Sequence, residues 1–156
     1  MNPTRIAAAI GAAVAIAVPA EGLRQYAYYD PPGILTVCFG STTDVVAGRF
    51  YSMAECQERL NADMRNAVLI VEKCQPGLPE PVLAAFSDAV FNIGPVVACD
   101  QKRSTAARLL AAREYRAACD QLPKWNKARV AGQVVELPGL TKRRAKEREL
   151  CLWGLV

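Results

Sequence analysis

From Ile6 to Ala20 the chain reads IAAAIGAAVAIAVPA, fifteen positions without a charge, and the next residue is Glu21. At about 1.5 Å per residue this run makes a helix of roughly 22 Å, shorter than the ~30 Å hydrocarbon core of a bilayer. Its Ala and Gly content also makes it only weakly hydrophobic. Three fates fit: a secretory h-region behind the single basic residue Arg5, a marginal membrane segment, or the buried first helix of a domain. Val18-Pro19-Ala20 resembles a signal-peptidase site, but a cut there would make Glu21 the new terminus and set an ammonium beside its carboxyl group. If Glu21 does chemistry, the better reading is an uncleaved segment that exports the chain and later becomes part of the fold. An ordinary buried Ala-rich helix is the plain alternative.

A length of 156 residues suits one domain, or one domain with two lobes. With 52% apolar and 22% charged residues the chain is globular rather than disordered. The absence of histidine excludes Ser/His and Cys/His nucleophile pairs, His-ligated metals and a histidine base. Acid–base chemistry then falls to carboxylates, Lys, Tyr or Cys. The net charge of +4 suits an anionic partner, whether nucleic acid, an acidic lipid surface or an acidic wall polymer, and does not choose among them. Six cysteines without a C-x-x-C pair read as up to three disulfides made in an oxidising compartment, with six buried thiols in a cytosolic protein as the alternative.

Residues 25–51 have strand character, with QYAYYD, a Pro-Pro-Gly turn, ILTVCFG, a polar turn and VVAGRFY, and predict a small antiparallel sheet. Ser52 and Glu55 form a capping-box pattern, and Met53, Leu60, Met64, Val68 and Val71 behind them predict a helix of about twenty residues. QPGLPEP breaks it; VLAAFSDAVFNIG is apolar nearly all round, as a central buried helix would be, and ends at Gly94-Pro95. Shorter helices are expected near 104–113 and 114–122, a loop over 126–139, and a last helix in TKRRAKERELCLW with basic residues on one side.

Glycoside hydrolysis needs one carboxylic acid to protonate the leaving oxygen and a second carboxylate to activate water or attack the anomeric carbon. Glu21, at the foot of an apolar helix, is placed where partial desolvation would favour the proton-bearing acid. Asp30, at the mouth of the Pro-Pro-Gly turn, would be better solvated and stay ionised. Thr36, on the returning strand, could hold a water near Asp30. Spacing alone is weak support, because any chain with fifteen acids contains such pairs.

Their surroundings add to it. Glu21-Gly22-Leu23-Arg24, eight residues between Glu21 and Asp30, five between Asp30 and Thr36, and then Gly40 together resemble the Glu/Asp/Thr signature of the phage-type lysozymes, glycoside hydrolase family 24. FNIG at 91–94, Trp125 and LPGLTKRRAKERELCLWG at 137–154 resemble further elements of that family. The resemblance implies a mostly helical α+β fold. It implies an apolar segment over 1–20 and a catalytic domain over 21–156, with a sheet lobe at about 21–51, a long helix at about 53–74 and a helical lobe at about 80–156. It also implies cleavage of the β-1,4 bond between N-acetylmuramic acid and N-acetylglucosamine in peptidoglycan, with neither metal nor cofactor. Glu21 would be the general acid, Asp30 the base or electrostatic stabiliser, and Thr36 the residue that positions water. Many relatives have Gly-His where this chain has Gly40-Ser41.

The leading run resembles the signal-arrest-release segment of some phage endolysins. That implies an exported monomer, tethered through residues 6–20 to the inner membrane and then released into the periplasm. No cysteine precedes Cys38, so thiol exchange from within the segment cannot activate it, and refolding would have to do so. Asn92 and Arg143 are candidate substrate contacts. Arg143 and Arg144 could instead neutralise acids beside the cleft, or form a solvated basic face. Trp125 and Trp153 read as core before sugar platforms. The expected disulfides are Cys38 with Cys56, Cys74 with Cys99, and Cys119 with Cys151. Two rivals remain: a catalytically silent peptidoglycan-binding protein of the same fold, and a nucleic-acid binder using 142–148, which few nearby aromatics support.

Overall fold

The first helix has a strong start signal. Pro3 stands at its first position, and the Asn2 side chain accepts from the backbone N–H of Thr4 at 3.0 Å and of Arg5 at 3.3 Å. The computed structural model describes residues 1–155. In chain order its elements are α1 (Pro3–Glu21), β1 (Arg24–Tyr29), β2 (Leu35–Cys38), α2 (Met53–Cys74), α3 (Glu80–Ile93), α4 (Val96–Cys99), α5 (Thr105–Ala111) and α6 (Tyr115–Cys119). A 3₁₀ turn (Leu122–Lys124), β3 (Lys127–Val130), β4 (Gln133–Glu136) and α7 (Pro138–Leu152) complete them.

The apolar run is therefore inside a packed helix. With 19 residues, α1 is ~28 Å long, more than the uncharged stretch alone predicts, because polar residues at both ends join it. Ile6, Ala9, Ala13, Ile16 and Ala17 are buried on one face, at the three- and four-residue steps of a half-buried helix. Small side chains on that face let α1 lie closely against α3, its main neighbour, and then against α2 and α7. Ala7, Gly11, Ala15 and Val18 look outward. At the start of α1, the Arg5 guanidinium donates to the Leu78 carbonyl at 2.6 Å and pairs with Glu72, tying that end to the far end of α2.

The sheet is smaller than its sequence predicts. β1 and β2 pair antiparallel, with Tyr28 opposite Thr36 and Tyr29 opposite Leu35. The VVAGRFY segment contributes only an isolated bridge between Phe50 and Tyr26. Positive φ at Asp44 and Gly48 folds that segment back, and it wraps the buried Tyr51, whose hydroxyl accepts from Val46 N–H at 2.9 Å. Arg59 holds the same loop through the carbonyls of Thr43 and Asp44.

α2 starts at the expected capping box: Ser52 Oγ accepts from Glu55 N–H at 3.1 Å, and Glu55 Oε2 accepts from Ser52 N–H at 2.8 Å. α3 is buried continuously from Val82 to Val90, as an all-round apolar helix must be. The segment expected to be loop before α7 contains a hairpin, β3–β4, turned at Ala131-Gly132 with positive φ at both residues. Ala rarely adopts that conformation, so the usual Asn-Gly signal is missing. Disulfides join Cys38 to Cys56, Cys74 to Cys99 and Cys119 to Cys151. The first ties β2 to α2, the second α2 to α4, and the third α6 to α7.

Candidate active site

Glu21 is the last residue of α1, and Gly22, with φ +69°, turns the chain away immediately after it. The carboxyl group thus projects from a rigid, packed helix and remains about one-quarter exposed, at 23%. Its Oε1 accepts from Arg143 Nη1–H of α7 at 2.5 Å. The other oxygen lies beside Gly40: a Cβ at that residue would stand 3.4 Å from Oε2, and φ is +83° there. A side chain at position 40 would be strained by that φ, and its Cβ would come into van der Waals contact with the free oxygen.

Two hollows adjoin this point. One, of about 630 Å³, is lined by Pro19, Glu21, Asn92, Leu137, Lys142 and Lys146 among others. A second, of about 250 Å³, includes Gly40, Thr42, Asp63, Asn66 and Phe91. Glu21 lines the first, and its Oε2 points toward Gly40, a residue that lines the second. Half-burial pushes the Asp63 carboxyl up, against the lowering effects of Ser41 and Arg59.

Asp30 is held by its own turn. Its backbone N–H donates to Ile34 O at 2.9 Å, its carbonyl accepts from Gly33 N–H at 2.8 Å, and its Oδ1 accepts from Ile34 N–H at 2.7 Å. Gly33, with φ +85°, closes that turn. The Oδ2 atom is left for Thr36, whose hydroxyl lies 3.4 Å from it and donates to Ile34 O at 3.0 Å. Thr36 itself is buried. Because β2 runs from Thr36 to within two residues of Gly40, the strand links the Asp30 turn to the Glu21 carboxyl by a short path.

Behind Glu21 lies a buried cluster of charge in which Arg143 and Arg144 neutralise acids, as one reading of the sequence allowed, although it named neither Asp88 nor Glu147 as their partners. Arg143 is 4% exposed in its side chain and gives Nε–H and Nη2–H to Asp88, both at 2.8 Å. Arg144, fully buried, pairs with Glu147 and donates to Asn92 Oδ1 at 2.9 Å. Burial works against the Arg143 cation, but Asp88 and then Glu21 outweigh it and hold its pKa above the ordinary arginine value. Three carboxyl groups, Glu21, Asp88 and Glu147, share two guanidinium groups, which leaves one carboxyl in excess. Burial first, and the neighbouring Asp88 second, push the Glu147 carboxyl up to about 9 against the pull of Arg144.

The two residues expected to contact substrate are thus engaged with protein groups. Arg143 is committed to carboxylates, while Asn92 lines the larger hollow with its oxygen taken by Arg144. Arg143 and Arg144 do not form a solvated face, because α7 turns them inward. One signal for this was present: Asp88 is the acid in the middle of a nearly apolar helix, and a charge in that position needs a buried partner. Trp125 is half-buried against the core, whereas Trp153 is exposed.

The phage lysozyme family model matches residues 19–147. A SAR-endolysin of Bacteriophage PS119 is 36% identical over 86% of this chain and 77% of its own length. A SAR-endolysin of Enterobacteria phage P21 is 35% identical over 96% and 94%, respectively. Among solved structures, the active form of the P1 phage endolysin Lyz superposes with a TM-score of 0.73 and 29% identity, covering 93% of this chain and 85% of that one.

Proposed function

Because this chain belongs to the phage lysozyme family, we propose a division of labour among the residues gathered at the end of α1. The protein is an endolysin of the muramidase class: it cleaves the β-1,4 bond between N-acetylmuramic acid and N-acetylglucosamine in peptidoglycan and so lyses the host cell. Glu21 is the general acid, giving its proton to the glycosidic oxygen of the leaving sugar. Asp30 is the base or the stabiliser of the developing positive charge. A water donating to Asp30 Oδ2 would also reach Thr36 Oγ1, since the threonine's own proton is spent on Ile34 O. Its lone pair is then free for the anomeric carbon; Asp30 takes the water's proton as Glu21 loses its own. The glycan enters the hollow that Glu21 lines and passes from there toward Asp30 and Thr36, which lie outside that hollow.

The observation that carries this reading is the state of Glu21: it lines a hollow of about 630 Å³, with one oxygen held by Arg143 and the other directed toward Gly40. Product analysis on purified peptidoglycan tests it. The wild type should generate new reducing muramic ends, and Glu21→Gln should lower that rate by about 10²–10⁴-fold. Undiminished cleavage by Glu21→Gln, or free amines as the product, would overturn the assignment.

Export and membrane tethering fit an amino-terminal helix that is long and apolar enough to cross a bilayer by length and composition. We read α1 as having two homes: in lipid it is unable to present Glu21 to the groove, and after release into the periplasm it packs on α3 as seen here. The released enzyme acts as a monomer. Its three disulfides suit an oxidising compartment.

A further inference from the structure

Asp88 sits in the middle of α3 with no exposed surface, and no bond-making or bond-breaking step of hydrolysis uses it. Its two oxygens take Arg143 along one edge, Nε–H to Oδ2 and Nη2–H to Oδ1, each at 2.8 Å. A guanidinium carries its five N–H groups in one rigid plane, so a bidentate carboxylate locks that plane. Of the three N–H groups left, one on Nη1 reaches Glu21, at 2.5 Å from Oε1. We propose that Asp88 is a positioning residue for the acid. By occupying one edge of Arg143 it aims a single N–H at Glu21 and absorbs cationic charge that would otherwise bear on that carboxyl alone.

An acid catalyst must keep its proton until the glycosidic oxygen can take it, and an unshared guanidinium at hydrogen-bond distance would favour losing it early. Asp88 offsets that pull without removing the hydrogen bond that orients Glu21. The charged groups around Glu21 are few. α7 brings Arg143 in contact and Lys142 and Lys146 around the same hollow; α3 brings Asp88 behind Arg143; Arg144 and Glu147 lie beyond. From the sheet side, Gly40 approaches Glu21 with backbone only. Asp88 is thus the charged group α3 directs at Arg143.

The inference rests on the reading of Glu21 as the acid, and the test separates the two. The pH dependence of kcat/KM is measured on soluble peptidoglycan fragments with wild type, Asp88→Asn and Glu147→Gln. Asp88→Asn should move the alkaline limb to lower pH by roughly one unit or more, reducing kcat at neutral pH and leaving KM nearly unchanged. Glu147→Gln should leave that limb in place, because Glu147 already carries a proton up to about pH 9. If Asp88 served only to stabilise the fold, Asp88→Asn would lower the melting temperature without moving the limb; a folded variant with an unmoved limb overturns the proposal. Should Asp88→Asn not fold, nitrogen-15 spectra of the wild-type guanidinium groups decide. Resolved Arg143 Nη signals, with Nη1 following a titration that Glu21→Gln abolishes, support it; signals averaged by free rotation overturn it. Full activity of Glu21→Gln would instead sink the reading of the acid itself, whatever Asp88→Asn does.

Discussion

Glu21 and Asp30 lie nine positions apart in sequence, yet opposite means hold them. The Asp30 carboxylate is fixed by the N–H of Ile34, four positions on, in a turn that Pro31, Pro32 and Gly33 shape locally. The Glu21 carboxyl is fixed by Arg143, 122 positions away, which is in turn held by Asp88 from a third helix. One site is made by a pentapeptide and the other by the packing of α1, α3 and α7. The contrast suits the proposed roles: a base near solvent needs orientation, whereas an acid needs controlled surroundings, which only a folded interior supplies.

Breaking the long-range side should have the largest effect on stability. Arg143→Ala removes the cation from a buried group of carboxyls, and the expected loss is ~3–5 kcal/mol, read by urea or thermal unfolding. A loss below about 1 kcal/mol would mean that the cluster relaxes and takes up water, and the contrast between the two sites would shrink.

A change in pH should act on the same side. Glu147 binds its proton up to about 9 in the folded protein, whereas an unperturbed Glu releases it near 4.5. Between those values the folded state holds one proton more than the unfolded state, so stability falls as pH rises through the window. The slope can reach ~1.4 kcal/mol per pH unit. Glu147→Gln should flatten that part of the stability profile, and an unchanged slope would assign the buried proton to another group.

The smallest structural effect is expected on the local side. Asp30→Asn keeps an oxygen for the Ile34 N–H, so unfolding should shift by less than about 1 kcal/mol. Hydrolysis should nevertheless fall by about a hundredfold or more. A variant that loses stability in proportion to activity would show that Asp30 is part of the scaffold rather than of the chemistry.

Much of the backbone was legible without coordinates, and for local reasons. The capping box at Ser52, the Gly-Pro stop after α3 and the fifteen uncharged residues of α1 are short-range signals, and each marks an element that forms. The β3–β4 hairpin was not legible, because its turn uses Ala131 at positive φ instead of a residue that favours it. The third strand failed for the converse reason: VVAGRFY has strand composition, but Tyr51 and Arg59 hold that loop in a folded-back shape. The basic pattern on α7 left a solvated face and neutralisation of acids both open, because periodicity cannot report which side of a helix meets buried carboxylates.

The sequence by itself determined the Asp30 turn, the hydrophobicity that lets α1 serve either lipid or core, the start of α2 and the end of α3, since these depend on neighbours a few bonds away. Only the tertiary structure decided that Glu21 would face Arg143, that Asp88 would stand behind it, and that two arginines of a basic helix would be buried. The physical reason is that a charge inside a protein is tolerated only with its counter-charges in place, and here those come from helices far apart along the chain.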